Sequence, residues 1–372
     1  MKKYQFRRRR NKIFVPIIDY ILSIYNFFFR QDKEIPSPEN VKKVLVVRMD
    51  HIGDLVLSLP SLATIRKLYP NAEVTLLVGK WTEELARLID VVDKVLAFSP
   101  SWFSKGNDRN DLKDVIRLIK KLRAKEFDLA IDLRGYFHNI LLLHFSKVKF
   151  IAGYGITGGG PLLDYEKEFT SGLSRWQYPL NLAIDLGYKG DYELPNLSIP
   201  DFSELFTKYN IPQKYILLNP FSRDKKREWA LHKWRELIDM IENKGYIPVI
   251  AGPSDRISDS RDIGKQGVIN LTGRLTFYQW LYLISRANAV IGLNSSAVHL
   301  SSYLNVPTVM IAVGIEDIVE WRPLGNVEIL YSSHLPCVPC NKPSGCKSME
   351  CLSIITPEMV IQCLEKLLRM GI

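Results

Sequence analysis

From Val44 to Pro60 the chain reads VLVVRMDHIGDLVLSLP, and few folds accommodate that run. Val44 to Arg48 is mostly β-branched and apolar without alternation, as in a short strand buried on both faces of a parallel sheet. The chain then turns through Met49 to Gly53. From Asp54 onward Leu55, Leu59, Leu62, Ile65 and Tyr69 recur three or four apart, which predicts one helix ending near Pro70.

A strand–turn–helix of this kind places polar residues where α/β sheets bind ligands and where unpaired backbone N–H groups favour negative charge. The turn carries Asp50, His51 and Asp54, a set suited to acid–base chemistry. Its single glycine, Gly53, is not the three-glycine dinucleotide fingerprint, and no lysine-containing phosphate loop is present, which argues against NAD enzymes and P-loop NTPases. Asp54 by itself has two readings, a catalytic carboxylate or the N-cap of the helix.

The chain of 372 residues has room for two domains, and 47% hydrophobic with 24% charged residues is a globular composition. Its net charge of +10 is unevenly spread. Ahead of Asp32, Lys2, Lys3, Arg7, Arg8, Arg9, Arg10, Lys12 and Arg30 face only Asp19, so the body is nearly balanced. A nucleic-acid enzyme spreads its positive charge over a folded face, so this pattern excludes nucleic acid as the expected partner. Ile13 to Phe29, broken by Pro16, Asp19 and Asn26, is marginal for crossing a bilayer. Beside a basic run it suits an interfacial anchor on anionic lipid, the other reading being a helix packed on the body. No small-residue cleavage site follows Phe29, and Gln31 to Asn40 reads as a linker.

The body alternates strand and helix. Strands are expected at 74–78, 94–98 and 129–133, with helices at 82–89 and 110–125. Ile151 to Pro161, with five glycines, reads as a loop: an acceptor-binding loop near Tyr154, Arg175 and Trp176, or a plain connection. A second alternating half begins near residue 190, with strands at 215–218, 247–251, 289–291 and 308–311 and helices at 231–244, 276–287 and 297–304. Two doubly wound halves would leave a cleft between their strand ends. The second half has its own polar turns. NPFSRDKKREW, Asn219 to Trp229, sets Arg223, Lys225, Lys226 and Arg227 ahead of a helix, fit for a diphosphate or simply solvated. AGPSD places Asp255 where an acid bonds ribose hydroxyls. GLNSSAVH offers Asn294, Ser295 and Ser296 either to phosphate oxygens or to ordinary helix capping.

These stretches, together with LTGRLTFYQW, VIGLNSSAVHLSSYLNVPTVMI and CVPC followed by CL, resemble glycosyltransferase family nine from about residue 42 to the C-terminus. The best-known members of that family are ADP-heptose:lipopolysaccharide heptosyltransferases. The resemblance implies an α/β GT-B fold of two Rossmann-like domains with parallel sheets, residues 41–190 for the acceptor and 191–356 for the nucleotide sugar. A basic and apolar extension would precede them, and a helix at 357–372 would return to the first domain.

Carried over by position, Asp54 becomes the base and Arg227, where the family usually has lysine, the cation that meets the donor phosphate. Gly53, Asn219, Ser222, Lys226, Asp255, Thr272, Gly273, Asn294, Ser295, Ser296 and His299 would hold the donor, His299 also bracing its helix. Arg48, His51 and Arg134 would meet the acceptor. Where heptosyltransferases commonly read Asp-Thr-Gly, this chain has Asn294-Ser295-Ser296, keeping the middle hydroxyl and losing the carboxylate and the glycine. No cofactor and no catalytic metal are implied. Cys337, Cys340, Cys346 and Cys351 could ligate zinc on their own terms, and their role is left open; a reducing compartment disfavours disulfides.

The expected protein is therefore an inverting, cytoplasmic glycosyltransferase, peripheral on the inner face of the bacterial inner membrane. It would move heptose or a related sugar from an ADP-sugar to a lipid-linked oligosaccharide. The alternatives are a membrane-attached nucleotide-sugar binder without catalysis, or a transferase using another donor or a protein acceptor.

Overall fold

The structure, a computed structural model, describes residues 4, 11–29, 33–100, 102, 111–265, 267–342 and 345–370. Of the basic residues expected to anchor the tail, Lys2, Lys3, Arg7 to Arg10 and Arg30 lie outside the described residues, as do Gln31 and Asp32 of the linker. Two compact units divide after Ser198 rather than after Gly190.

The apolar run of the first unit becomes β1 (Lys43–Arg48), followed by β2 (Glu73–Gly79), β3 (Lys94–Phe98), β4 (Leu129–Asp132), β5 (Phe150–Gly153) and β6 (Tyr165–Glu166). All pair in parallel in the order β3-β2-β1-β4-β5-β6. Val44 to Val47 have no exposed surface, as a central strand covered on both faces requires. Strand order reverses between β1 and β4, and in such sheets ligands bind beyond the strand ends at that reversal.

The single helix expected after the turn is two: α2 (Ile52–Val56) and α3 (Leu59–Leu68). Pro60 has no N–H to give the carbonyl one turn back, so the chain breaks at Ser58, whose hydroxyl instead bonds the Asp54 carbonyl at 2.8 Å. The expected helix over 82–89 shrinks to a 3₁₀ turn and one α turn, Glu83–Ala86. The glycine-rich stretch is only partly loop, because Ile151 to Gly153 belong to β5.

The rest of that loop is pinned by the N-terminal helix α1 (Asn11–Phe29). Asp19 Oδ1 accepts the Gly159 N–H at 2.7 Å, and Gly158 at φ +103° presses on Val15, where a β-carbon would come within 2.5 Å of it. Gly158 therefore allows close contact with α1, and Tyr154 is buried with its hydroxyl on the Tyr178 carbonyl.

The second unit repeats the pattern with β7 (Tyr215–Asn219), β8 (Ile247–Ile250), β9 (Ile269–Asn270), β10 (Ala289–Leu293), β11 (Thr308–Ile311) and β12 (Val327–Leu330). The order is β12-β11-β10-β7-β8-β9, again parallel, with its reversal between β7 and β10. The helix Pro357–Met370, expected to return to the first unit, belongs to the second. Its apolar stripe of Val360, Ile361, Leu364 and Leu367 is buried with Trp234, Ile238 and Ile241 of the helix Leu231–Asn243. Trp229 Nε1 donates to the Ile355 carbonyl at 3.0 Å and fixes the approach.

Leu364→Ala should therefore destabilise the second unit by about 2–5 kcal/mol, the range for a large-to-small change in a core. Urea unfolding would show this as a lowered midpoint; an unchanged midpoint would mean the helix is not part of that core.

Candidate functional site

In the first unit, Val47 of β1 pairs with Asp132 of β4, so the chain leaving each strand emerges side by side at the reversal. Arg48, buried to 4% exposure, sends Nη1 to the Leu133 carbonyl at 2.7 Å and Nε and Nη2 to the Asp54 carbonyl at 3.3 and 3.2 Å. Its guanidinium lies 3.4 Å from Asp50 Oδ2 and 3.6 Å from Asp54 Oδ1. Arg134 approaches from the other strand end, Nε 3.2 Å from Asp50 Oδ1 and Nη1 3.6 Å from Asp54 Oδ1. Its Nη2 donates to the Tyr136 hydroxyl at 2.9 Å, and the guanidinium lies over that ring. Two carboxylates and two guanidiniums thus form one charge-balanced cluster, buried except for Arg134, whose side chain stays 26% exposed. Asp54 Oδ1 sits within it without a hydrogen bond of its own.

Burial pushes the Asp50 pKa up against the pull of Arg134 and Arg48. Burial also opposes the charge of Arg134, but the adjoining Asp50 and Asp54 outweigh it and raise its pKa. Below them Asp132, wholly buried, accepts the N–H groups of Arg134 and Gly135 and the Asn139 amide at 3.2, 3.1 and 3.3 Å. Burial dominates those bonds and pushes its pKa up to about 6. Asp54 is not an N-cap: the cap position of α2 is His51, and Asp54 is the third residue of the helix.

In the second unit Asn219 ends β7 and donates to the Ala251 carbonyl at 3.2 Å, while Ser295 Oγ reaches Asn219 Oδ1 at 3.5 Å. Asn294, Ser295 and Ser296 are partly exposed at the start of the helix Ser296–Tyr303, with Ser295 in the cap position. Gly273, at φ +72°, donates to the Gly252 carbonyl at 2.9 Å, and a side chain there would strike Ile257 and Ser254. Beside it Thr272 is buried with an Oγ1 that has no hydrogen-bond partner. Arg227 Nη1 donates to Glu316 Oε1 at 2.8 Å. Lys226 and Asp255 are exposed, and His299 is buried. The backbone of Ser222 bonds Glu228 and Arg256.

The sequence-derived residues therefore fall into two groups. Gly53, Asp54, Arg48, His51 and Arg134 belong to the first unit, with His51 exposed and Arg48 inside. The remaining donor candidates lie after the β7, β8, β9 and β10 ends. Three positions were not foreseen: Asp132, Arg256 and Glu316. Arg256, 8% exposed, donates to both Glu228 oxygens at 2.5 and 2.7 Å and to Asp259 at 2.6 Å, and stacks on Phe221. It locks the basic loop in place. An acid at a strand end is a readable signal for Asp132; nothing local marks the other two.

All five cysteines are free. Cys351 Sγ accepts the Gly314 N–H and Cys346 Sγ the Met349 N–H, each at 3.4 Å. Among the described residues no three His, Cys, Asp or Glu side chains are arranged to hold a metal ion.

Two doubly wound parallel sheets, each with polar residues at its reversal, define a GT-B fold. Residues 115–349 match the sequence model of glycosyltransferase family 9 (heptosyltransferase), and the chain belongs to that family. The match begins after the Asp54 turn. Over 340 residues the chain is 25% identical to lipopolysaccharide heptosyltransferase 3 of Escherichia coli (strain K12), covering 86% of this chain and 96% of that protein. The structure of E. coli ADP-heptose lps heptosyltransferase II superposes with a TM-score of 0.74 at 19% identity, covering 88% of this chain and 99% of that one. E. coli heptosyltransferase WaaC with ADP-2-deoxy-2-fluoro heptose superposes at 0.67 and 18%, covering 87% and 99%.

A carboxyl raised from 3.8 to about 6 stabilises the fold fully below the lower value and loses that contribution as pH climbs through the upper. Relative to Asp132→Asn, the protein should lose about 3 kcal/mol of stability between about pH 4 and pH 7. Urea unfolding of both proteins across that range measures it; a flat difference would place the Asp132 pKa at its ordinary value.

Proposed function

We propose that the protein is an inverting glycosyltransferase that moves heptose, or a related sugar, from an ADP-sugar to a lipid-linked acceptor of the lipopolysaccharide core type. Asp54 is the base. It takes the proton of an acceptor hydroxyl as that oxygen bonds to the anomeric carbon, whose bond to the diphosphate oxygen breaks on the opposite face. ADP leaves with the bonding electron pair, and configuration inverts. The observation that carries this reading is the placement of Asp54: a buried carboxylate at the β1/β4 reversal, with Arg48 and Arg134 each 3.6 Å from Oδ1. Two cations compensate its charge, and Arg48 holds its backbone, so the base is positioned before substrate arrives.

Arg227 neutralises the departing diphosphate, which requires it to exchange Glu316 for phosphate oxygens. No step needs a metal or cofactor. Asn219, Ser222, Lys226 and Asn294 to Ser296 hold the diphosphate and sugar; Asp255, Thr272 and Gly273 hold the nucleoside, the unpaired Thr272 hydroxyl being available to it. His51 and Arg134 meet the acceptor, and Arg48 acts through Asp54 as a positioning residue. The donor is chosen on family membership and on the ADP-sugar analogue named for the related WaaC structure. The reaction takes place at the cytoplasmic membrane surface, where the N-terminal segment holds the enzyme.

One observation favours a second reading. Asn294-Ser295-Ser296 lacks the carboxylate common at that position in heptosyltransferases, as a protein that binds nucleotide sugar without transfer would.

Asp54→Asn separates the two. Transfer should fall about 10²–10⁴-fold while titrated ADP affinity hardly changes. Equal turnover in the variant would remove Asp54 from the chemistry, and binding without turnover in the wild type would favour the second reading. Arg227→Ala should lower the rate about 10²–10³-fold, with Arg227→Lys restoring much of it; an unchanged rate in the alanine variant would exclude Arg227 as the phosphate partner.

A further inference from the structure

Helix α1 is held to the first unit by a narrow stripe. Val15, Asp19, Leu22 and Asn26, spaced four, three and four apart, turn inward, with Asp19 bonded to the Gly159 N–H at 2.7 Å and to the Tyr4 hydroxyl at 2.9 Å. The remaining circumference is apolar and open: Phe27 is 82% exposed, Ile13 65%, Phe14 61% and Ile17 52%. Ten of the twenty-one large apolar side chains exposed among the described residues lie on this one helix, so they form a patch and not a scatter. No described helix is long and apolar enough to cross a membrane.

Charge decides what covers the patch. Positions 1–18 contain Lys2, Lys3, Arg7 to Arg10 and Lys12 and no acid, and Asp19, the sole acid ahead of Asp32, has both oxygens engaged on the inward side. A second copy would bring two such cationic segments together, and an exposed arc this wide is broader than a helix–helix seam. A cavity of about 370 Å³ adjoins the end of α1 at Tyr25. Lys33, Arg123 and Lys147 line it, with His144 and Phe145 and no acid. Lys33 is paired with Asp164 at 3.1 Å and Arg123 with the Phe145 carbonyl at 2.8 Å, so two of the three cations are held in place around it.

We propose that α1 lies flat in the surface of an anionic phospholipid bilayer, its apolar arc among the acyl chains, and that the cavity at its end binds a lipid headgroup phosphate. Aromatic and aliphatic side chains beside a cationic run suit that boundary. The inward stripe seats α1 on the first unit. The inference rests on the membrane part of the proposed function and is independent of its chemistry.

Co-sedimentation with phosphatidylcholine vesicles, with and without phosphatidylglycerol, tests it on the full chain. Binding should require phosphatidylglycerol and weaken with salt. Ile17→Ser/Phe27→Ser should reduce it by about tenfold or more, and Arg123→Gln/Lys147→Asn should reduce the preference for phosphatidylglycerol by a similar factor. Titrated ADP affinity should stay unchanged in both variants, which shows that they fold and reports the enzymatic reading separately. Equal binding to neutral vesicles, or full binding by the serine variant, overturns the lipid assignment. So does a serine variant that only loses self-association in sedimentation velocity, which would make the patch a contact between copies. Glycerol phosphate that binds wild type but not Arg123→Gln/Lys147→Asn, with vesicle binding unaffected by those substitutions, would assign the cavity to a free phosphate and overturn the headgroup site.

Discussion

Two guanidiniums at the end of one sheet, Arg48 buried and Arg134 partly exposed, hold two buried carboxylates in place. Arg48 and Arg134 reach Asp50 and Asp54 from adjacent strand ends, and Arg48 ties β1 to the Leu133 carbonyl. Charges taken out of water are tolerated only when each is compensated, and removing one partner of a buried pair costs about 3–5 kcal/mol. The cluster therefore stands or falls as a unit, and the direction of the Asp54 carboxylate is a consequence of it. Asp132 adds a second layer, fixing the backbone of Arg134 and Gly135 from below.

The second unit solves a different problem on the same topology. In the proposed reading the basic loop receives a charged ligand, which requires that its cations are not all buried and paired. Arg256 takes the structural role, bonded to Glu228, Asp259 and Ser222, and this leaves Lys226 exposed and Arg227 only partly enclosed beside Glu316. Arg256 is locked between two acids and a backbone carbonyl, whereas Arg227 stays partly exposed beside Glu316, as the proposed contact with a diphosphate requires. The glycine loop of the first unit shows the same economy. Gly158 lets the backbone close on α1, and one carboxylate, Asp19, fastens it through the Gly159 N–H.

The alternating body and both parallel sheets were legible because a strand buried on two faces needs a continuous apolar run, and Val44 to Val47 or Tyr215 to Leu218 have few other uses. Short elements were not: β6 and β9 are two residues each, below any period. The helix Phe137–Phe145 is too uniformly apolar to show a face. The break at Ser58 was in principle readable from Pro60, yet the unbroken spacing of leucines outweighed it. The apolar stripe of Pro357–Met370 was visible, but not the surface that it covers.

By itself the sequence determined the local chemistry: which turns follow strands, which residues in them carry charge, and that most of the net charge lies ahead of the linker. Those follow from periodicity and residue type over a few positions. Only the tertiary structure decided which charges are partners. Arg134 meets Asp54 from the end of a different strand, Glu316 stands 89 positions along the chain from Arg227, and Gly159 stands 140 from Asp19. Whether such a group is spent on the scaffold or left for a ligand depends on burial and on neighbours that are distant along the chain, and no local pattern encodes them.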